Sequence, residues 1–249
     1  MALPLEEEVT YSADGVELRG FLARPAGAAE ARPSVLVVHE WWGHNDYARR
    51  RARELADLGY VALAVDMYGE GKSASHPEDA GAFMQALLKD RPTMVARFDA
   101  GLALLRSQPD VDGDSVAAIG YCMGGGVVLD MAREGRDLDA VVSFHGLLST
   151  GLQAEPGAVQ AGILVLTGAD DPMAGQAERD AFVAEMDAAG VDGYGMVVYP
   201  GVRHAFTNAD ATRLGEEFGL EQALRYDAGA DADSWQRMKD FLQMSFAAE

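Results

Sequence analysis

The only cysteine of the chain, Cys122, lies between Gly120 and Gly124 in the segment "VAAIGYCMGGGVV". An apolar run precedes it and a second one follows, which predicts a buried strand, a sharp turn and a helix. A side chain on such a turn projects above the edge of a sheet, and bulky neighbours at 120 and 124 would collide with the turn. A helix beginning after the sulfur would favour the thiolate. The sequence therefore predicts a nucleophile at Cys122, although a free cysteine can also be a small buried apolar residue.

A nucleophile at such an elbow needs an acid after a later strand and a histidine later still. The segment "ILVLTGADDP" places Asp170 and Asp171 directly after an apolar run, and "MVVYPGVRHAF" places His204 after the next. Taken alone, the two aspartates are also typical of a turn before a proline. His204, taken alone, could be a residue of an exposed loop. Their order and their positions after strands favour a Cys–His–Asp triad.

The segment "HEWWGHND" (39–46) follows the first central apolar run, so it is expected at the same edge of the sheet. An acid such as Glu40 beside a thiol would oppose the thiolate or accept its proton, although it could also be a solvated charge. In folds with a nucleophile elbow, the oxyanion hole consists of two backbone N–H groups. One comes from the residue after the nucleophile, here Met123, and the other from an early loop, here Trp41. Trp42 is interpreted first as a packing residue.

Apolar runs and helical patterns alternate along the chain after an N-terminal hairpin around Asp14–Gly15. This alternation predicts an α/β fold with a mostly parallel central sheet, helices on both faces and an antiparallel hairpin at the N-terminal end. No linker-like segment interrupts it, so we expect a single domain over 1–249. The predicted strands are 34–40, 60–66, 115–121, 139–146, 162–168 and 194–200, and the predicted helices are 46–60 (with Asp46 as N-cap), 76–90, 92–108, 124–135, 175–190 and 234–246.

The composition argues against several classes of partner. The formal net charge is −20, with 40 acidic and 20 basic residues, whereas nucleic-acid binding needs clustered Lys and Arg. No apolar run is long enough for a membrane span, and "MALPLEEEV" lacks the basic start of a secretory signal. The single cysteine suits a reducing compartment, so we expect a cytoplasmic protein. The histidines and Cys122 have no metal-ligand spacing, so neither a metal nor a cofactor is expected.

Five separated segments, "HEWWG", "GYVALAVDMYG", "IGYCMGGG", "GADDP" and "RHAFTN", together resemble the dienelactone hydrolase family of α/β-hydrolases. The resemblance runs from about Val9 to the last predicted helix. It implies an α/β-hydrolase fold and a triad of Cys122, Asp171 and His204, with the aspartate directly before the proline as the acid. The family also has a glutamate at the position of Glu40, which pairs with the resting thiol and helps to deprotonate it once substrate displaces it.

One position departs from the family pattern. Dienelactone-cleaving members hold the substrate carboxylate with arginines, one of them shortly after the triad histidine, where this chain has Asn208. Arg213 is near but out of register. The resemblance therefore implies the chemistry more strongly than it implies dienelactone as substrate. Trp42, His145, Phe206 and Asn208 are candidates for the substrate pocket, although His145 is interpreted first as a structural residue.

These observations predict a cysteine-dependent hydrolase of a small ester or lactone that works through a thioester intermediate. The same thiolate, histidine and oxyanion donors could serve an activated phosphotriester, which is the alternative enzymatic interpretation. A non-catalytic small-molecule binding protein on the same fold is the third interpretation. All of these predict a small-molecule partner, and the oligomeric state is left open.

Overall fold

A computed structural model describes residues 4–27 and 30–247 of the chain. The strands form one eight-stranded sheet in the order β1-β2-β4-β3-β5-β6-β7-β8. They are β1 (Leu5–Ala13), β2 (Val16–Arg24), β3 (Arg32–Val38), β4 (Val61–Val65), β5 (Val111–Tyr121), β6 (Ala140–Phe144), β7 (Gly162–Gly168) and β8 (Tyr194–Tyr199). The helices are α1 (Asp46–Asp57), α2 (Pro77–Lys89), α3 (Arg91–Arg106), α4 (Met123–Arg133), α5 (Gln176–Ala188), α6 (Ala211–Phe218) and α7 (Ala228–Phe246).

The chain divides into two compact units, Met1–Ala118 and Ile119–Glu249. The boundary falls inside β5, so one strand belongs to both units. The expected architecture, a mostly parallel sheet with an N-terminal antiparallel hairpin, is confirmed. A single domain over 1–249 stays a prediction.

In the first unit, β1 and β2 pair antiparallel through the turn at Asp14 and Gly15. Both turn residues have positive φ, 51° and 77°, which is the conformation of a two-residue hairpin turn that matches strand twist. Strand β2 pairs antiparallel with β4, and β4 pairs parallel with β3. Every residue of β4 is buried, as expected for a strand covered on both faces, and α1 and α3 both pack against it.

The N-cap of α1 differs from the prediction. Asn45 is the N-cap, because its side chain accepts a hydrogen bond from the backbone N–H of Tyr47, and Asp46 is the first helical residue. Either residue type can cap a helix, so composition could not separate the two positions. The acidic side chain of Asp46 in the first turn still complements the helix dipole.

In the second unit, β6, β7 and β8 pair in parallel, and the five residues of β6 are all buried. Helix α4 packs against β6, and α7 packs against β6 and β7. Two helical features were missed from the sequence. Helix α6 is short and ends at Gly219 in the left-handed conformation, with φ of 69°. Helix α7 begins at Ala228 rather than at 234, because the Asp227 side chain caps it by accepting a hydrogen bond from the N–H of Ala230.

Candidate active site

Cys122 occupies the turn between β5 and α4 in a strained backbone conformation, with φ of 55° and ψ of −117°. The turn is tight because a Cβ atom at Gly120 would lie only 2.0 Å from the carbonyl oxygen of Gly124. Helix α4 begins at the next residue, so its N-terminal dipole lies beside the thiol group. The thiol side chain is buried, and the residue is 7% exposed. This geometry is that of a nucleophile elbow.

The backbone of the elbow is anchored to the end of β6. The N–H of Cys122 lies 3.0 Å from the carbonyl oxygen of Phe144 and 3.1 Å from Nδ1 of His145, and it donates to both. The carbonyl oxygen of Cys122 accepts a hydrogen bond from the N–H of Gly125 at 3.1 Å. The backbone from which the thiol projects is therefore held by hydrogen bonds on both sides of the turn.

Asp171 and His204, which follow β7 and β8, form a buried hydrogen-bonded pair. Nδ1 of His204 lies 2.8 Å from Oδ2 of Asp171, and both side chains have almost no exposed surface. The other carboxylate oxygen of Asp171 accepts a hydrogen bond from the N–H of Met173 at 2.8 Å, which fixes the carboxylate plane. Asp170, in contrast, is exposed.

The charges around His204 favour its protonated form. Burial by itself lowers the pKa of His204, but the charge of Cys122 and the hydrogen bond to Asp171 raise that pKa well above its ordinary value. A hydrogen bond with Cys122 also contributes to the raised pKa of His204, so Cys122 acts on this ring both through its charge and through hydrogen bonding. A thiolate and an imidazolium at these positions would stabilise each other.

The remaining predicted elements of the machinery lie at the end of β3 and the start of α4. Glu40 is buried, and its carbonyl oxygen accepts hydrogen bonds from the N–H of Gly43 and from Nδ1 of His39. Trp41 is partly buried, and its carbonyl oxygen accepts a hydrogen bond from the Tyr68 hydroxyl at 2.9 Å. Met123 is fully buried as the first residue of α4. Their assignment to thiol activation and to the oxyanion hole stays a prediction.

The four candidates for a substrate pocket are all buried. His145 and Phe206 have no exposed surface, whereas Trp42 and Asn208 are 4% and 6% exposed. The carbonyl oxygen of the Asn208 side chain accepts a hydrogen bond from the N–H of Asp210, so part of its polar capacity is used within its own loop. Their role in binding substrate stays a prediction.

Two buried polar residues, one in each compact unit, were not predicted from the sequence. Thr207 is fully buried and its hydroxyl lies 2.7 Å from Nε2 of His145. Asp66, at the end of β4, is fully buried and accepts hydrogen bonds from the backbone N–H groups of Arg19, Tyr68, Gly69 and Gly71. An aspartate ending a buried strand before a glycine-containing loop, as in "AVDMYGEG", was the available signal for Asp66.

The described residues contain neither a cluster of metal-ligating side chains nor a helix suited to crossing a membrane. No cluster of three or more His, Cys, Asp or Glu side chains there could hold a metal ion. No helix there is long and apolar enough to cross a membrane.

Comparisons with known proteins identify the family of the chain. A family model described as the dienelactone hydrolase family matches residues 18–246, so one model spans both compact units. "Protein usf" of Aquifex pyrophilus is 33% identical over 207 residues, which cover 80% of this chain and 86% of that protein.

Two solved structures are similar to nearly the whole chain. The first, named "m3DLH", has a TM-score of 0.90 and 34% identity, and the match covers 98% of this chain and 100% of that one. The second is a dienelactone hydrolase-like promiscuous phosphotriesterase from metagenomic libraries, with a TM-score of 0.88, 35% identity and coverage of 98% and 99%. On the match of the family model over most of its length, this chain belongs to the dienelactone hydrolase family of hydrolases.

Proposed function

We propose that the protein hydrolyses small carboxylic esters or lactones with Cys122 as its nucleophile. The observation that carries this proposal is the buried arrangement of the second unit, in which Cys122 lies on a strained elbow and influences a histidine that is hydrogen-bonded to Asp171. A nucleophile, a base and a residue that orients the base are the three parts that acyl transfer needs. Membership of a hydrolase family supports the reaction class.

In the first half-reaction, the Cys122 thiolate attacks the carbonyl carbon of the ester. The carbonyl oxygen becomes an oxyanion, which we assign to the backbone N–H groups of Trp41 and Met123. When the tetrahedral intermediate collapses, the carbon–oxygen bond to the leaving group breaks and the imidazolium of His204 gives its proton to the departing alkoxide. The products are a thioester on Cys122 and a free alcohol, or an open chain in the case of a lactone.

In the second half-reaction, neutral His204 takes a proton from water, and the hydroxide attacks the thioester carbonyl. The carbon–sulfur bond breaks, the carboxylic acid leaves and the thiolate–imidazolium pair is restored. Asp171 keeps Nδ1 of His204 protonated, which leaves Nε2 for proton transfer, and it stabilises the imidazolium. We assign to Glu40 the task of opposing the thiolate in the resting enzyme, accepting the thiol proton when substrate arrives and returning it to the sulfur after the product has left. No cofactor takes part in these steps.

Hydrolysis of activated phosphotriesters is the second candidate. It is favoured by the similarity, at 35% identity over nearly the whole chain, to a dienelactone hydrolase-like promiscuous phosphotriesterase. The Cys122 thiolate would attack phosphorus, expel a stable phenolate and form a thiophosphate ester that water then cleaves.

Steady-state rates on p-nitrophenyl acetate and on paraoxon, measured in parallel for wild type and Cys122→Ala, test both candidates. Ester turnover should exceed triester turnover in the wild type, and removal of the nucleophile should lower ester turnover by several orders of magnitude, roughly 10³-fold or more. Faster triester turnover would favour the second candidate. Absence of turnover on every small ester, together with tight binding of a ligand, would favour a non-catalytic binding protein.

A cytoplasmic location is part of the proposal. The nucleophile must stay reduced to act, and a reducing compartment protects a single thiol.

A further inference from the structure

We propose that His145 is a positioning residue that joins the Cys122 elbow to the loop carrying His204, with Thr207 as its anchor in that loop. This inference rests on the proposed function, because its consequence is the distance and orientation between the sulfur and the imidazole. His145 is fully buried, and its two ring nitrogens reach the backbone of the elbow and the hydroxyl of Thr207.

The two nitrogens of the His145 ring point to the two parts of the site. Nδ1 accepts a hydrogen bond from the backbone N–H of Cys122 at 3.1 Å, and Nε2 lies 2.7 Å from the hydroxyl oxygen of Thr207. Because Nδ1 acts as an acceptor, a neutral ring carries its proton on Nε2 and donates it to Thr207. A single tautomer therefore satisfies both contacts at once.

The backbone around these contacts is strained at three places. Cys122, His145 and Ala205, the residue after His204, all have positive φ, with values of 55°, 40° and 58°. For residues other than glycine, such conformations persist only where the surroundings hold them, and they concentrate at functional sites. The hydrogen bonds of His145 connect the first strained turn with the loop that contains the third.

The loop of His204 is stiff enough to transmit this connection. The N–H of His204 donates to the carbonyl oxygen of Ala223 at 3.0 Å, and the N–H of Asn208 donates to that of Ala205 at 3.0 Å. The ring of His145 also packs edge-on against that of His204, with 5.1 Å between their centroids. Fixing Thr207 relative to His145 therefore restrains the imidazole of His204 relative to the elbow.

The expected consequence is kinetic rather than structural. A displacement of about 1 Å between reacting groups can cost on the order of 10²-fold in rate. Loss of the Thr207 contact should lower kcat by about 10- to 100-fold while KM changes little, because it alters the orientation of the reacting groups rather than the affinity for substrate.

Two variants remove the contact by different routes. Thr207→Val keeps the shape of the side chain but removes the acceptor. His145→Asn keeps an amide oxygen near the N–H of Cys122 and tolerates positive φ, but it is too short to reach Thr207. Thr207→Ser keeps the hydroxyl and serves as the matched control, with kcat expected within about threefold of wild type.

Each variant is measured by kcat and KM on a neutral ester, by the rate of Cys122 alkylation with iodoacetamide as a function of pH, and by thermal unfolding. We expect Thr207→Val and His145→Asn to show the same loss of kcat and the same slowing of alkylation near neutral pH, and Thr207→Ser to restore both. Should Thr207→Val fail to fold, His145→Asn alone tests the contact.

The proposal is overturned if a folded Thr207→Val or His145→Asn keeps wild-type kcat and alkylation, or if only the unfolding temperature changes. Alkylation does not require ester turnover, so it tests the positioning role separately from the proposed function. If Cys122→Ala hydrolysed esters normally, the proposed function would fail, while the alkylation rates of the Thr207 pair would still decide whether His145 positions the thiol and the imidazole.

Discussion

Asp170 and Asp171 are neighbours in the sequence, yet only Asp171 is buried and hydrogen-bonded to His204. Asp171→Asn should lower kcat by up to about 10⁴-fold, because an amide favours the wrong tautomer of the imidazole. Asp170→Asn, the matched control, should leave kcat nearly unchanged. Steady-state kinetics on one ester compare the two variants, and a larger effect at Asp170 would show that the acid has been assigned to the wrong residue.

The loss of stability in Asp171→Asn should depend on pH, because the pKa of His204 is raised in the folded protein. Stability gained from a raised histidine pKa is complete below the unfolded-state pKa of about 6.5 and is lost as pH rises through the folded-state pKa. Asp171→Asn removes one of the interactions that raise this pKa. The loss of unfolding free energy in the variant should therefore be larger at pH 6 than at pH 9, as urea titrations at both pH values would measure. An equal loss at both would contradict a charged His204–Asp171 pair.

Glu40 is a buried acid for which the sequence predicts a role in controlling the thiol. Glu40→Gln should make Cys122 react faster with iodoacetamide at pH 7, because the negative charge predicted beside the sulfur would no longer oppose the thiolate, and yet it should lower turnover. Glu70→Gln, which removes an exposed acid instead, controls for the change in net charge. The rate of Cys122 alkylation measured across pH tests this role. An unchanged dependence of that rate on pH in Glu40→Gln would leave Glu40 with a purely structural role.

At the scale of the elements, the β5–α4 turn depends on a glycine that has no room for a side chain. Gly120→Ala would place a Cβ atom 2.0 Å from the carbonyl oxygen of Gly124, so it should destabilise the fold by roughly 3 kcal/mol or more and lower activity. Gly113, near the start of the same strand, has no atom within 4 Å of the equivalent Cβ position. Gly113→Ala is therefore the control and should change stability by less than about 0.5 kcal/mol in urea denaturation. Equal stability of the two variants would contradict a steric requirement at the elbow.

The elements that the sequence predicted well are those with a strong local pattern. The buried strands are continuous apolar runs, and β7 begins and ends at the predicted residues. The start of α7 was missed because "AGADAD" has no apolar periodicity and is helical through the cap at Asp227. Helix α6 was missed because it buries only Ala211 and Gly215 along its length, and its contacts with Leu224 come from a later segment.

The site was predictable to the extent that its residues follow strands. Cys122, Asp171 and His204 each come directly after or shortly after an apolar run, so topology alone predicts that they lie at one edge of a sheet. The contact between His145 and Thr207 could not be predicted, because it joins two loops 62 residues apart and depends on the strained backbone of each. Long-range polar contacts of this kind leave no periodic signal in a sequence.

The charge of the whole molecule should favour a neutral substrate over an anionic one. The chain carries a net charge of −20, and the family resemblance predicts that Asn208 occupies the position where dienelactone-cleaving members hold a substrate carboxylate with arginine. Arg213 does not supply that cation, because it is exposed and paired with Asp210 and Glu217. An anionic substrate would lose hydration without gaining a charged partner. A methyl-esterified dienelactone should therefore show a higher kcat/KM than the free carboxylate.

Comparing the same two substrates at low and high salt separates the effect of the pocket from the effect of the net charge. At physiological ionic strength, fields from exposed charges are screened beyond roughly 8 Å. Added salt should therefore reduce the difference in kcat/KM between the ester and the free carboxylate only in part, because salt does not supply the missing cation in the pocket. Turnover of the carboxylate as fast as that of its ester would contradict the preference and would indicate a basic residue in the pocket.

If Cys122 carries the acyl group during turnover, intact-protein mass spectrometry during hydrolysis of a slow ester should detect the acylated enzyme. We expect a transient mass increase equal to the acyl group, located by peptide mapping to the segment containing Cys122 and absent from Cys122→Ala. Wild-type turnover by Cys122→Ala, or an acyl adduct on any other residue, would contradict it.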